Sequence, residues 1–149
     1  MNVEGNYNIK KEEEKFLSFL NSRNLKKTPE RIEILRYAMK IKDHFGVEMI
    51  YKSMEKEGYH VSKTTVYNTM ELLCSCGLFR KILIDPHQTL YEFAEGFHIH
   101  LVCSKCGRIK EKHSNELNNQ FINLIDDSFQ PHYVLASIYG ICETCRIKD

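Results

Sequence analysis

Two Cys-x-x-Cys pairs constrain this chain more than any other feature: Cys103 with Cys106, and Cys142 with Cys145. Thirty-five residues, 107 through 141, separate them. A two-residue spacer lets a tight turn aim both sulfurs at one point. Two such knuckles at this separation describe one tetrahedral thiolate site, and zinc is the ion that prefers it. Gly107 directly follows the first knuckle and suits that turn, because it can take a positive φ. Whatever fold the chain adopts must bring residues 103–106 and 142–145 together.

Thiolates survive as metal ligands only where disulfides do not form. The N-terminal stretch MNVEGNYNIKKEEEK has no apolar run of the kind a secretory signal needs. No run of about 18 apolar residues exists, so no membrane span is expected. A cytoplasmic location is the resulting expectation, and the six cysteines read as reduced thiols and metal ligands rather than a disulfide framework. The chain of 149 residues, 42% hydrophobic and 28% charged, is long enough for one domain or two small ones with a real core.

Helix signals fill the first half. Residues 1–11 are polar and read as a loose arm; Phe16, Leu17 and Leu20 then give an apolar stripe over Glu12–Arg23. Thr28-Pro29-Glu30 is a sharp helix start, with a capping hydroxyl, a proline at the first position and an acid at the positive end. A second helix runs to about Lys42, and a third covers Val47 to near Gly58. Ser62 opens a fourth, which Gly77 stops. On this fourth helix Val66, Met70 and Leu73 point inward, leaving Lys63, Thr64, Tyr67, Asn68 and Glu71 exposed. Phe79–Ile84 and Thr89–Phe93 flank the turn residues Asp85-Pro86-His87-Gln88 and predict a hairpin.

Helices three and four followed by a hairpin predict a winged helix-turn-helix, whose second helix enters the DNA major groove. Charge supports this. Between Ser22 and Lys42, seven lysines and arginines face only Glu30 and Glu33, although the whole chain carries only +1. Basic residues on the earlier helices would grip phosphates without reading sequence.

Beyond Gly96 the pattern changes. His98–Cys103, Arg108–Lys112 and Tyr133–Ile141 read as strands, and Ser114–Ser128 as a helix through Leu117, Phe121, Ile122 and Ile125. The expected class is α+β: a winged helix-turn-helix DNA-binding domain over 1–95, then a small α/β dimerisation domain over 96–149 with a four-cysteine zinc site. A unit of roughly fifty residues is short of core, which metal and dimerisation would both answer.

Strand parity points to a second metal site. His98 and His100 are two apart and face one side of a strand, whereas Cys103 falls on the other. Candidate co-ligands are Glu92 at the end of the wing, Glu111 on the next strand and His44 between helices two and three. Such a mixed set suits Fe²⁺, Mn²⁺ or Zn²⁺, and the carboxylates tilt the choice toward the harder ions. His60, His87, His113 and His132 lack this context and read as solvent-facing or structural; Cys74 and Cys76 read as small core or turn residues.

With these features in this order, the chain resembles the ferric uptake regulator family from about Glu12 to Lys148. Thr28-Pro29-Glu30-Arg31, Thr65-Val66-Tyr67-Asn68, the run from His98 to Gly107 and Tyr139-Gly140-Ile141-Cys142 are similar to family signatures. The resemblance implies a homodimeric, metal-activated repressor binding a pseudo-palindromic double-stranded operator, with no catalytic role. By motif position His44, Glu92, His98, His100 and Glu111 match the family's regulatory ligands. Tyr67 matches its thymine-contacting residue, and Lys27 and Arg31 its backbone-contacting ones. Phe97 and Ile99 stand where a third metal site would need a histidine and an aspartate. Glu92 stands where the zinc-uptake branch has a cysteine. Asn68 looks like the peroxide-sensing branch, whereas that branch has aspartate at the position of Glu111. Iron and peroxide sensing thus stay open.

Two other classes compete on the residues alone. A zinc-dependent hydrolase would use His98 and His100, but no His-Glu-x-x-His motif supplies its base. A thiol oxidoreductase would need its Cys-x-x-Cys in a βαβ context, which the pattern does not offer.

Overall fold

The computed structural model describes residues 8–148. The chain divides into two compact units, Met1–Ala94 and Glu95–Asp149.

The first unit contains α1 (Ile9–Ser22), α2 (Pro29–Lys40), α3 (Val47–Lys56) and α4 (Lys63–Ser75), then the hairpin β1 (Phe79–Ile82) and β2 (Leu90–Phe93). Three helix starts are capped by side chains accepting a backbone N–H: Asn8 from Lys11, Thr28 from Arg31 and Ser62 from Thr65. Each such cap stabilises its helix by about 1 kcal/mol. Gly77, at φ 78°, takes the left-handed turn that ends α4. The core is continuous from Phe16 and Leu20 of α1 through Ile34 and Leu35, Ile50 and Met54, and Val66, Met70 and Leu73 to Phe79 and Tyr91 of the hairpin.

The first helix begins earlier than the apolar stripe predicts. Of the loose arm expected over 1–11, residues 1–7 lie outside the described residues. From Ile9 onward it is helix, because Asn8 caps a Lys- and Glu-rich stretch of good helix formers.

One contact in this unit shapes everything that follows. Phe45, in the link between α2 and α3, forms an antiparallel bridge with Tyr91 of β2. Its N–H donates to the Tyr91 carbonyl at 3.1 Å, and the Tyr91 N–H returns the bond at 2.8 Å. Residue 44 is thereby carried alongside residue 92.

The second unit contains β3 (His98–Cys103), β4 (Ile109–His113), α5 (Asn115–Asn123), β5 (Ala136–Gly140) and α6 (Glu143–Ile147). Its sheet has the order β4-β3-β5, with β3 antiparallel to β4 and parallel to β5. The helix expected over 114–128 ends at Asn123. The Asp126 carboxylate accepts from the Ser128 N–H at 2.9 Å, a local turn that competes with helical bonding. Strand β5 is shorter than the apolar run 133–141, because only Ala136–Gly140 find partners on β3. Helix α6 has no counterpart among the sequence expectations; its five residues are too few to show periodicity. No helix among the described residues is long and apolar enough to cross a membrane.

Candidate metal centres and nucleic-acid face

The four cysteines converge. Gly107, at φ 73°, turns the first knuckle, and its N–H donates to the Cys103 carbonyl at 2.9 Å. The parallel pairing of β3 with β5 brings in the second knuckle: Cys103 pairs with Gly140, two residues before Cys142. The ligand atoms of Cys103, Cys106, Cys142 and Cys145 all lie within 4.8 Å of one another, and the Cys106 and Cys142 sulfurs are 3.8 Å apart. Zinc–sulfur bonds of about 2.3 Å put tetrahedral sulfurs about 3.8 Å from each other, so the donor set and its spacing fit zinc.

Backbone groups prepare these sulfurs for an ion. The Cys142 N–H, 3.4 Å from the Cys103 sulfur, is the first of several backbone donors that lower the Cys103 thiol to about 6. The Cys142 thiol is also lowered, chiefly by the Cys145 N–H. Hydrogen bonding to Cys142 holds the Cys145 thiol up instead, as expected where several thiols crowd one space. Cys74 sits apart, packed against the helical core, and burial pushes its thiol up to about 11. Burial also raises Cys76.

The second set of candidates falls into two groups, one per unit. In the first unit the Phe45–Tyr91 bridge sets His44 beside Glu92, with Nε2 3.1 Å from Oε2. Two residues that sequence reasoning missed hold this pair. Arg80, directly opposite Glu92 on the hairpin, donates from Nε to Oε1 at 2.7 Å. Asp43 approaches the other ring nitrogen of His44, with Oδ1 3.1 Å from Nδ1. Supporting groups of this kind orient metal ligands and fix imidazole tautomers. Strand alternation was the available signal: Arg80 and Lys81 point to opposite faces of β1, and Arg80 shares its rung with Glu92.

In the second unit His98 and His100 are buried and project from the same side of β3. Their Nε2 atoms are 3.1 Å apart. That is close to the spacing of two imidazoles bound at about 2.1 Å to one ion. Glu111 lies opposite His100 in the β3–β4 register, and its Oε1 is 3.8 Å from His98 Nε2.

The nucleic-acid candidates occupy α4 and the start of α2. Tyr67 is 51% exposed, beside exposed Lys63, Thr64 and Asn68, while Val66, Met70 and Leu73 are fully buried, as the helical pattern requires. Lys27 is exposed; Arg31 donates to the Lys26 carbonyl and ties down the approach to α2. The basic cluster is weaker than its composition indicates. Arg36 pairs with Glu13 and Glu33, each at 2.6 Å; outside the cluster, on α4, Lys63 Nζ lies 2.9 Å from Glu48 Oε2.

A winged helix joined to a four-thiolate clamp and a histidine–carboxylate set defines a metal-dependent, DNA-binding transcriptional regulator. A profile described as the ferric uptake regulator family matches residues 22–134. The chain belongs to that family and is a metal-dependent repressor. It is 26% identical over 140 residues, 93% of either chain, to the peroxide-responsive repressor PerR of Staphylococcus epidermidis. It is similar, at a TM-score of 0.73 and 25% identity, to a ferric uptake regulator from Pseudomonas aeruginosa solved with manganese, covering 85% of this chain and 97% of that one. The ferric uptake regulator of Helicobacter pylori shares the fold at a TM-score of 0.77 and 19% identity, over 94% of this chain and 95% of that one.

Proposed function

We propose that this chain acts in the cytoplasm as a homodimeric repressor whose DNA affinity is set by a divalent cation. Zinc held by Cys103, Cys106, Cys142 and Cys145 keeps the second unit folded. The regulatory ligands are His44 and Glu92 from the first unit with His98, His100 and Glu111 from the second, loaded with Fe²⁺ or Mn²⁺. A cation shared between the units favours one angle between them, and so one spacing of the two α4 helices of a dimer for successive major-groove turns. Metal binding and operator binding are then thermodynamically linked.

The observation that carries this reading is the pairing of His44 with Glu92 through the Phe45–Tyr91 bridge. It supports the reading because an imidazole and a carboxylate already stand side by side at the base of the wing, in the unit that also carries Tyr67 and Asn68. In the DNA reading Tyr67, Thr64, Lys63 and Asn68 meet bases and sugar-phosphate, while Lys27 and Arg31 grip phosphates. Dimerisation is supported by the second unit's own surface. Phe129, Tyr133, Ile138 and Tyr139 are each more than half exposed, a large apolar display for so small a core.

The likeness to peroxide-responsive repressors favours a peroxide-sensing form of the same scheme, and that to a manganese-bound ferric uptake regulator favours the plain metal-dependent form. A hydrolase built on His98 and His100 finds no support among the relatives. Operator affinity measured with Fe²⁺, Mn²⁺ and Zn²⁺ in turn, with and without peroxide, tests the proposal. His98→Ala should lose the metal dependence; unchanged metal dependence in that variant would overturn the scheme.

A further inference from the structure

The β3–β4 ladder holds one more potential ligand than the regulatory set uses. His98 pairs with His113 and His100 with Glu111, on two rungs separated by one other. Residues opposite each other in an antiparallel pair share a face, and so do residues two apart on either strand. His98, His100, Glu111 and His113 therefore form a block of four donors on one side of one sheet. Distances agree. The Glu111 carboxylate stands between two imidazoles, with Oε1 3.8 Å from His98 Nε2 and Oε2 4.0 Å from His113 Nε2. The His98 and His113 ring centres are 5.3 Å apart. The sequence hides this: His113 reads as solvent-facing, yet Glu111-x-His113 mirrors His98-x-His100 across the ladder.

We propose that these four residues form a complete divalent-cation site inside the C-terminal unit, with His113 as the ligand that serves when His44 and Glu92 do not. Three imidazoles and one carboxylate meet the demands of Mn²⁺, Fe²⁺, Co²⁺ or Zn²⁺ without help from another unit. His113 is the replaceable member, because its side chain is 65% exposed while that of His98 is buried. The second unit can then load its cation first. His44 and Glu92 would take the place of His113 afterwards, so the protein keeps its metal while the DNA-binding unit is free to reorient.

This inference rests on the reading of His98 and His100 as ligands, and the test separates the two. Full-length protein with its zinc retained is titrated with Co²⁺, following the visible d–d absorption and the bound stoichiometry. His44→Ala/Glu92→Gln should still bind one Co²⁺ beyond the zinc. Adding His113→Ala to that variant should weaken binding by about tenfold or more, whereas His113→Ala alone should cost less. His113 is exposed, so its removal leaves the fold intact, which a thermal melt confirms. Loss of all Co²⁺ binding in His44→Ala/Glu92→Gln, or no effect of His113→Ala in that background, overturns the proposal. If His98→Ala/His100→Ala binds the second Co²⁺ as wild type does, the regulatory-site reading itself falls.

Discussion

Arg80 and Glu92 face each other across the β1–β2 hairpin as a buried ion pair, Nε to Oε1 at 2.7 Å, and the second carboxylate oxygen is turned to His44 at 3.1 Å. The wing therefore orients Glu92, the metal ligand proposed above, as well as presenting a hairpin. Removing one partner of a buried pair leaves the other charge without compensation, typically at a cost of about 3–5 kcal/mol. Arg80→Met should lower the melting temperature and weaken regulatory-metal binding by roughly 10–100-fold. Arg80→Met/Glu92→Gln should regain most of the stability but not the metal affinity. Calorimetry and Mn²⁺ titration on both variants check this.

Glu48 holds Lys63, whose ammonium the proposed DNA contact would need. In the free protein the Glu48 carboxylate lies 2.9 Å from the Lys63 ammonium, which sits at the first position of α4 and holds the Glu48 carboxyl below its ordinary range. Both side chains are about half exposed, and exposed pairs contribute at most about 1 kcal/mol. Glu48→Gln should raise operator affinity a few-fold. It should also steepen the salt dependence by about one counterion, as expected when one more cation is available to phosphate. Lys63→Met should abolish the gain. Fluorescence anisotropy across a salt series reads both.

The thiols should react in two classes once metal is stripped. Burial pushes Cys74 up to about 11, whereas backbone donors lower Cys103 to about 6. At pH values around neutral Cys103 is then largely thiolate while Cys74 and Cys145 are not, so iodoacetamide should label Cys103 before Cys74 and Cys145. With zinc bound, all four clamp cysteines should be protected. Peptide mapping after timed alkylation distinguishes these outcomes, and chelation alone should also dissociate the dimer.

Peroxide sensing makes a mass prediction. Brief peroxide treatment of the Fe²⁺-loaded protein should add one oxygen to His44 or His98 and release the protein from DNA if the proposed peroxide-sensing form holds. The Mn²⁺-loaded form should stay unmodified. Intact histidines and retained DNA binding in the Fe²⁺ form would leave plain metal regulation.

Much of this protein is written locally. The knuckles at 103–106 and 142–145, the caps at Thr28 and Ser62, the apolar face of α4 and the parity of His98 against Cys103 each depend on spacing within a few residues. Periodicity and ligand chemistry alone carry that information. The ends of α5 and β5 escape it for a physical reason: a local Asp126 turn and the length of the partner strand decide them, and an apolar run shows neither.

What only the tertiary structure decided is which distant residues meet. That His44 stands beside Glu92 follows from the Phe45–Tyr91 bridge, which joins residues far apart in the chain. That Arg80 orients Glu92, and that His113 joins His98, follows from ladder register. Register is set by how whole strands bury their faces, and a slip of one residue would turn every candidate ligand on the slipped strand to the other side. The sequence by itself determined the ligand types, the two cysteine knuckles and the helix-turn-helix. Pairing between strands, which depends on the energy of the folded core, determined which histidine answers which carboxylate.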